Sequence, residues 1–125
     1  MPREAFSSDR IAPPVGPFSP GVRVGELLFL SGQVALDPAT GRLIAGDVAA
    51  QTEQVLQNLR TLLGVVGKSL ADVARVNVYL TDMKDFGQMN AVYARHFEAP
   101  YPARTTVAVS ALPLGAAVEI DLIAG

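Results

Sequence analysis

With 125 residues, half of them hydrophobic, the chain has the length of one ordinary domain and enough apolar side chains for a core of its own. Its formal net charge of -2 and pI near 5.2 leave no cationic footprint for a polyanion, which argues against nucleic acid as a partner. The lack of cysteine excludes disulfides, thiol nucleophiles and thiolate metal sites, and a single histidine, His96, argues against a histidine-based metal site.

The opening Met1-Pro2-Arg3-Glu4 carries an acid and leads into no long apolar segment, unlike a secretory signal. No run approaches the roughly 18 apolar residues of a membrane span, so a soluble, cytoplasmic protein without membrane contacts is expected. A mean hydropathy of +0.30 is high for a small monomer, and part of the apolar surface is expected to lie against a partner subunit.

The opening stretch, through Pro13-Pro14-Val15-Gly16-Pro17-Phe18-Ser19-Pro20, is rich in proline and reads as a stiff ordered loop. Val22–Val24 and Leu27–Ser31 flank Gly25-Glu26 as a hairpin, and Gly32-Gln33 loosens the chain behind it. A second hairpin is expected from Val34–Leu36 and Arg42–Ile44 around Asp37-Pro38-Ala39-Thr40-Gly41. Asp47 is a good N-cap, and Val48, Thr52, Val55, Leu59, Leu62 and Val66 follow at helical spacing, giving an amphipathic helix that ends near Gly67. Val73 to Thr81 alternates as a strand. A shorter helix starts near Asp82 to Asp85, carries the stripe Phe86, Met89, Tyr93 and Phe97, and ends before Pro100. His96, near its end, suits the helix dipole. Strands around Thr105–Val109 and Ala117–Ile123 close the chain, which reads as one domain over residues 1–125 without linker or repeat.

This order predicts an α+β fold with two helices on one face of a sheet. Alternation then puts Val76, Val78, Leu80, Val107, Val109, Val118, Ile120 and Leu122 toward the helices. Arg75, Asn77, Tyr79, Arg104, Thr106, Glu119 and Asp121 fall on the other face, for which the chain has no cover, so that face suits a wet cleft between subunits. Arg104 and Glu119 stand out because each interrupts apolar β-like text, where a charge needs a partner or a ligand. Arginine is shaped to hold a carboxylate through two parallel hydrogen bonds. On residue chemistry alone, Arg104 reads equally as a carboxylate anchor or as the ion-pair partner of Glu119 or Asp121. Glu119 reads first as a counter-ion.

Several short segments together resemble the RidA (YjgF-type) reactive intermediate deaminase family. They are Gly16-Pro17-Phe18-Ser19, Ser31-Gly32-Gln33, Asp47-Val48-Ala49-Ala50-Gln51-Thr52, Val78-Tyr79-Leu80-Thr81-Asp82, Met89-Asn90, Pro102-Ala103-Arg104 and Val118-Glu119-Ile120. Each is weak alone; their collinearity over almost the whole chain carries the resemblance. It implies a chorismate-mutase-like α+β protomer with a mixed six-stranded sheet, and a homotrimer with clefts between subunits. It further implies hydrolysis of small 2-imino acids and their enamine tautomers to 2-keto acids and ammonia, with no cofactor and no metal. By that resemblance Arg104 holds the substrate carboxylate and Glu119 handles water, while Phe18, Ser31, Gly32, Asn90 and Thr106 line the cleft.

Two positions depart from the pattern. Phe18 stands where the family commonly has tyrosine, and Thr106 where it often has cysteine, so a substrate-facing hydroxyl and a thiol are missing. The carbon skeleton of the substrate stays open, as do two other readings: a non-enzymatic ligand-binding or regulatory trimer that captures a small keto acid, and a specialised hydrolase of a degradative intermediate.

Overall fold

The computed structural model describes residues 2–125 and contains one six-stranded mixed sheet with two helices on one face. The strands are β1 (Glu4–Phe6), β2 (Gly21–Val24), β3 (Leu27–Gln33), β4 (Val73–Leu80), β5 (Ala103–Ala108) and β6 (Val118–Ala124). Helix α1 runs Val48–Val65 between β3 and β4, and α2 runs Phe86–His96 between β4 and β5. The spatial order is β1-β2-β3-β6-β4-β5. All pairs are antiparallel except β4 with β5, which the α2 crossover makes parallel. No helix among the described residues is long and apolar enough to cross a membrane.

Local chemistry accounts for the main elements. The Asp47 carboxylate accepts the Ala50 N–H at 3.0 Å and so starts α1. Gly25, at φ 59, allows the tight turn between β2 and β3. One stripe of α1, including Val55, Leu56, Leu59, Leu62 and Leu63, is fully buried against Leu28 and Leu30 of β3, Val76, Val78 and Leu80 of β4, and Val118, Ile120 and Leu122 of β6. Each such side chain contributes roughly 1.5–3 kcal/mol relative to exposure, so this layer dominates the fold's stability.

Two buried polar residues on α1 tie the outer loops to this layer. Gln51 Oε1 accepts the Ala117 N–H at 2.9 Å, directly ahead of β6. Asn58, 2% exposed, donates to the Leu36 carbonyl at 3.0 Å and accepts from Gln54 at 2.9 Å.

The structure differs from the sequence expectations in three places. β1 pairs with β2 inside what reads as loop, because three residues are too few to show a period. The second hairpin reduces to a single bridge, Leu36 to Leu43. There the Asp37 carbonyl and carboxylate close the turn on Gly41 and Ala39, and the Leu36 carbonyl goes to Asn58.

The third difference concerns β5. In the parallel register Val76 lies beside Arg104, Val78 beside Thr106 and Tyr79 beside Val107. Val76 and Val78 are fully buried under the helices, so Arg104 and Thr106 face the helix side, while Val107, 40% exposed, faces away. The expected parity of β5 is thus inverted, and Val109 lies beyond the strand's end. On β4 and β6 the expected parity holds. Tyr79 pairs with Glu119 and Asn77 with Asp121 on the open face, where Asn77 and Tyr79 both donate to the Asp121 carboxylate, at 2.8 and 2.9 Å.

Candidate functional site

The site residues expected from sequence form two separate groups. The first surrounds Glu119 on the open face. A register shift between Leu30 and Gln33 disturbs the β3–β6 ladder and brings Gly32 against the Glu119 side chain. Ser31 fastens the preceding loop to β3: its N–H goes to the Pro20 carbonyl at 2.9 Å and its hydroxyl to the Ser19 carbonyl at 2.7 Å. Both Ser31 donors are therefore committed within the chain, and what they fix is the loop carrying Phe18.

Phe18, Gly32 and Glu119 line one cavity of about 120 Å³, walled by Pro13, Pro14 and Leu114. Leu114 has φ 62, a left-handed conformation uncommon for leucine, and no sequence signal marked it. Phe18 is 47% exposed and supplies an apolar wall. Burial, and then the neighbouring Asp121 charge, raises the Glu119 carboxyl above the ordinary glutamate range. Glu119 is thus a better proton acceptor than a free glutamate, in a setting that is mostly apolar.

The second group surrounds Arg104 on the helix side of β5, the edge strand. Arg104 lines a cavity of about 390 Å³ with Asn90, Tyr93, Ala94, Tyr101 and Pro102. Its guanidinium carbon lies 4.6 Å from the Tyr93 ring centre and 5.7 Å from that of Phe86. Among the described residues the only acid-to-base side-chain contact is the one between Glu53 and His96, so Arg104 has no carboxylate partner. The ion-pair reading of Arg104 with Glu119 or Asp121 therefore does not hold within one copy: those acids lie across the sheet. The Thr106 hydroxyl, on the same side as Arg104, is buried without a hydrogen-bond partner.

Sequence reading missed Tyr93 and Phe86 as part of this group. The signal was present in the aromatic stripe of α2, but such a stripe reads as core, and Tyr93 is indeed buried.

A larger cavity, about 500 Å³, lies at the far end of α2 beside Arg60, Arg95 and His96; it shares only Pro102 with the Arg104 cavity and holds none of the site residues expected from sequence. His96 does more there than meet a helix dipole. Arg60 donates to its Nδ1 at 3.0 Å, and arginine has no acceptor, so Nε2 carries the proton donated to Glu53 at 2.8 Å. The ring thereby bridges α1 and α2. No group of three or more acidic or histidine side chains among the described residues could hold a metal ion.

The family model described as endoribonuclease L-PSP matches residues 9–125. A mouse protein named 2-iminobutanoate/2-iminopropanoate deaminase is 39% identical, over 98% of this chain and 90% of its own. A crystal structure of RidA from the Antarctic bacterium Psychrobacter superposes with a TM-score of 0.93 at 41% identity, covering 97% of this chain and 98% of the other. The chain belongs to the RidA (YjgF-type) family. A further relative, protein DfrA of Myxococcus xanthus, is 48% identical over 99% of this chain and 96% of its own. Names within the family include reactive intermediate deaminases and endoribonucleases. The family's fold, a six-stranded sheet with two helices, is the one observed here.

Proposed function

We propose that this RidA-family protein hydrolyses small 2-imino acids, and the enamines in equilibrium with them, to 2-keto acids and ammonia, at a site completed between copies of a homotrimer. The observation that carries the reading is Arg104: a half-buried cation with no acidic partner, facing a cavity beside Asn90 and Tyr101. Such a group has its donors free for a substrate carboxylate.

In the proposed reaction Arg104 anchors the carboxylate and Glu119 aligns a water against C2. Water adds across C=N as Glu119 accepts its proton. Glu119 then returns that proton to the adduct's nitrogen, and the C–N bond breaks as the adduct hydroxyl gives its own proton back to Glu119, leaving the keto acid and ammonia. A protonated imine is already electrophilic, so positioning and modest base assistance suffice. Arg104 and Glu119 lie on opposite faces of one sheet, which supports a site built from the Arg104 half of one copy and the Glu119 half of another. Gly32 and Phe18 belong to the Glu119 half, with Ser31 fastening its loop, while Asn90 and Thr106 belong to the Arg104 half.

The direct test generates 2-iminobutanoate with a dehydratase and traps residual imine as semicarbazone. The protein should suppress the semicarbazone signal, and Arg104→Ala should weaken suppression roughly tenfold to a hundredfold. Binding of 2-oxobutanoate that depends on Arg104, without any suppression, would instead favour a ligand-binding trimer. Cleavage of single-stranded RNA would favour the ribonuclease reading that the chain's charge of -2 speaks against. Site location is tested by co-refolding inactive Arg104→Ala with inactive Glu119→Gln. Sites shared between copies recover about a quarter of wild-type activity by random mixing, whereas sites within one copy recover none. Sedimentation of the wild type should give a trimer.

A further inference from the structure

The aromatic stripe of α2 does more than fill core. Phe86 and Tyr93 are two turns apart on one helix face, and both present their rings to the Arg104 guanidinium, at 5.7 and 4.6 Å. Tyr93 is itself backed by Phe97, whose ring stacks on it at 4.4 Å with 26° between planes. Tyr93 and Phe97 are buried and Phe86 packs on the same core, so the rings have little freedom to turn. Arg104, by contrast, comes from an edge strand and has no acid to hold it. An arginine on an edge strand with several rotatable bonds samples many orientations unless something fixes its plane.

We infer that Phe86 and Tyr93 are positioning residues: their ring faces form a cradle that sets the guanidinium for a bound carboxylate. This rests on the proposed reading of Arg104 as the carboxylate anchor. Ring faces attract a cation without occupying its N–H donors, which an acidic partner would do. The cradle therefore fixes the arginine while leaving its fork free, and it explains why the site tolerates a half-buried cation without a counter-ion. Tyr93 also has a buried hydroxyl with no partner in the chain. Replacing tyrosine by phenylalanine keeps the ring and deletes an unsatisfied polar group, so Tyr93→Phe separates the ring's role from the hydroxyl's.

The test compares wild type, Phe86→Leu, Tyr93→Leu, Tyr93→Phe and Arg104→Ala for 2-oxobutanoate binding by calorimetry and for imine hydrolysis. Loss of one ring face should weaken 2-oxobutanoate binding and raise KM roughly threefold to thirtyfold, with kcat changing less. Tyr93→Phe should stay within about threefold of wild type, since phenylalanine presents a comparable face. In NMR spectra the Arg104 side-chain protons should lie upfield from ring currents and move downfield in Phe86→Leu and Tyr93→Leu. A merely structural role for the rings predicts lower melting temperatures with unchanged KM, and that result in folded Phe86→Leu overturns the cradle. Should Tyr93→Leu not fold, the less buried Phe86→Leu decides. If Arg104→Ala itself binds 2-oxobutanoate as wild type does, the anchor reading fails. If Arg104→Ala loses binding and Phe86→Leu does not, only the cradle fails.

Discussion

Gly32→Ala tests whether the Glu119 carboxylate must stand where it does. A Cβ built on Gly32 would lie 2.8 Å from the Glu119 carboxyl carbon and nearer still to Oε2, whereas ordinary contact begins at 3.4 Å. The carboxylate must therefore retreat by about 1 Å. Glu119 is the end of a flexible, half-exposed side chain, and Gly32 does not occupy a left-handed conformation, so the backbone need not move. The cost to the fold should stay within about 1 kcal/mol. Catalytic positioning is less forgiving, since a 1 Å misplacement costs on the order of a hundredfold in rate. Semicarbazone trapping with 2-iminobutanoate should show that loss mainly in kcat, because Arg104, the proposed anchor, lies on the other face. A melting curve run beside it should barely change. Near-normal turnover in folded Gly32→Ala would show that the position of Glu119 does not govern the chemistry, leaving it a charge-compensating role.

Two further outcomes follow from the same geometry. Glu119 has a folded-state pKa above its ordinary value, so the folded protein holds that proton more tightly than the unfolded chain, and the relative stability this confers is lost as pH rises from about 4.5 through the raised value. Glu119→Gln should thus melt at or above the wild-type temperature at pH 7 while its kcat falls about a hundredfold or more, and the wild-type rate should rise with pH through the same window; a variant that melts lower and keeps its rate refutes the water-handling role. Asn58→Ala removes the donor to the Leu36 carbonyl and should cost about 1–3 kcal/mol in urea unfolding, read as a lower midpoint at constant slope, whereas an unchanged midpoint would mean that the loop does not depend on this tether.

What could be read from sequence depended on how many constraints acted on each element. Helix α1 carries a cap, a long period and a terminating glycine, all in agreement, and it was legible nearly to the residue. Strands β4 and β6 are central, with one face fully buried, so their alternation is sharp and correctly sorts Val76 from Asn77 and Ile120 from Glu119. The Glu119 group was legible in part: the loop through Phe18 and the Ser31-Gly32 break were marked, but the disturbed ladder that presses Gly32 on Glu119 is a property of pairing.

β5 failed for a definable reason. An edge strand is half exposed on both faces, so Val107 and Val109 carry little information about which side is inward, and an apolar-inward pattern points the wrong way there. The α2 crossover instead fixes a parallel register that sets Arg104 beside Val76. A charge can face the helices there because what meets it is two aromatic rings rather than aliphatic core. This inversion alters the functional argument more than the fold. Had both residues shared the open face, Arg104 and Glu119 could have neutralised each other in one copy, and the ion-pair reading would have sufficed. On opposite faces, each remains a charge without an opposite partner in its own chain, the one an edge-strand cation and the other an acid with a raised pKa. Two such half-sites in a chain of high mean hydropathy are the physical ground for proposing that a second copy completes the site.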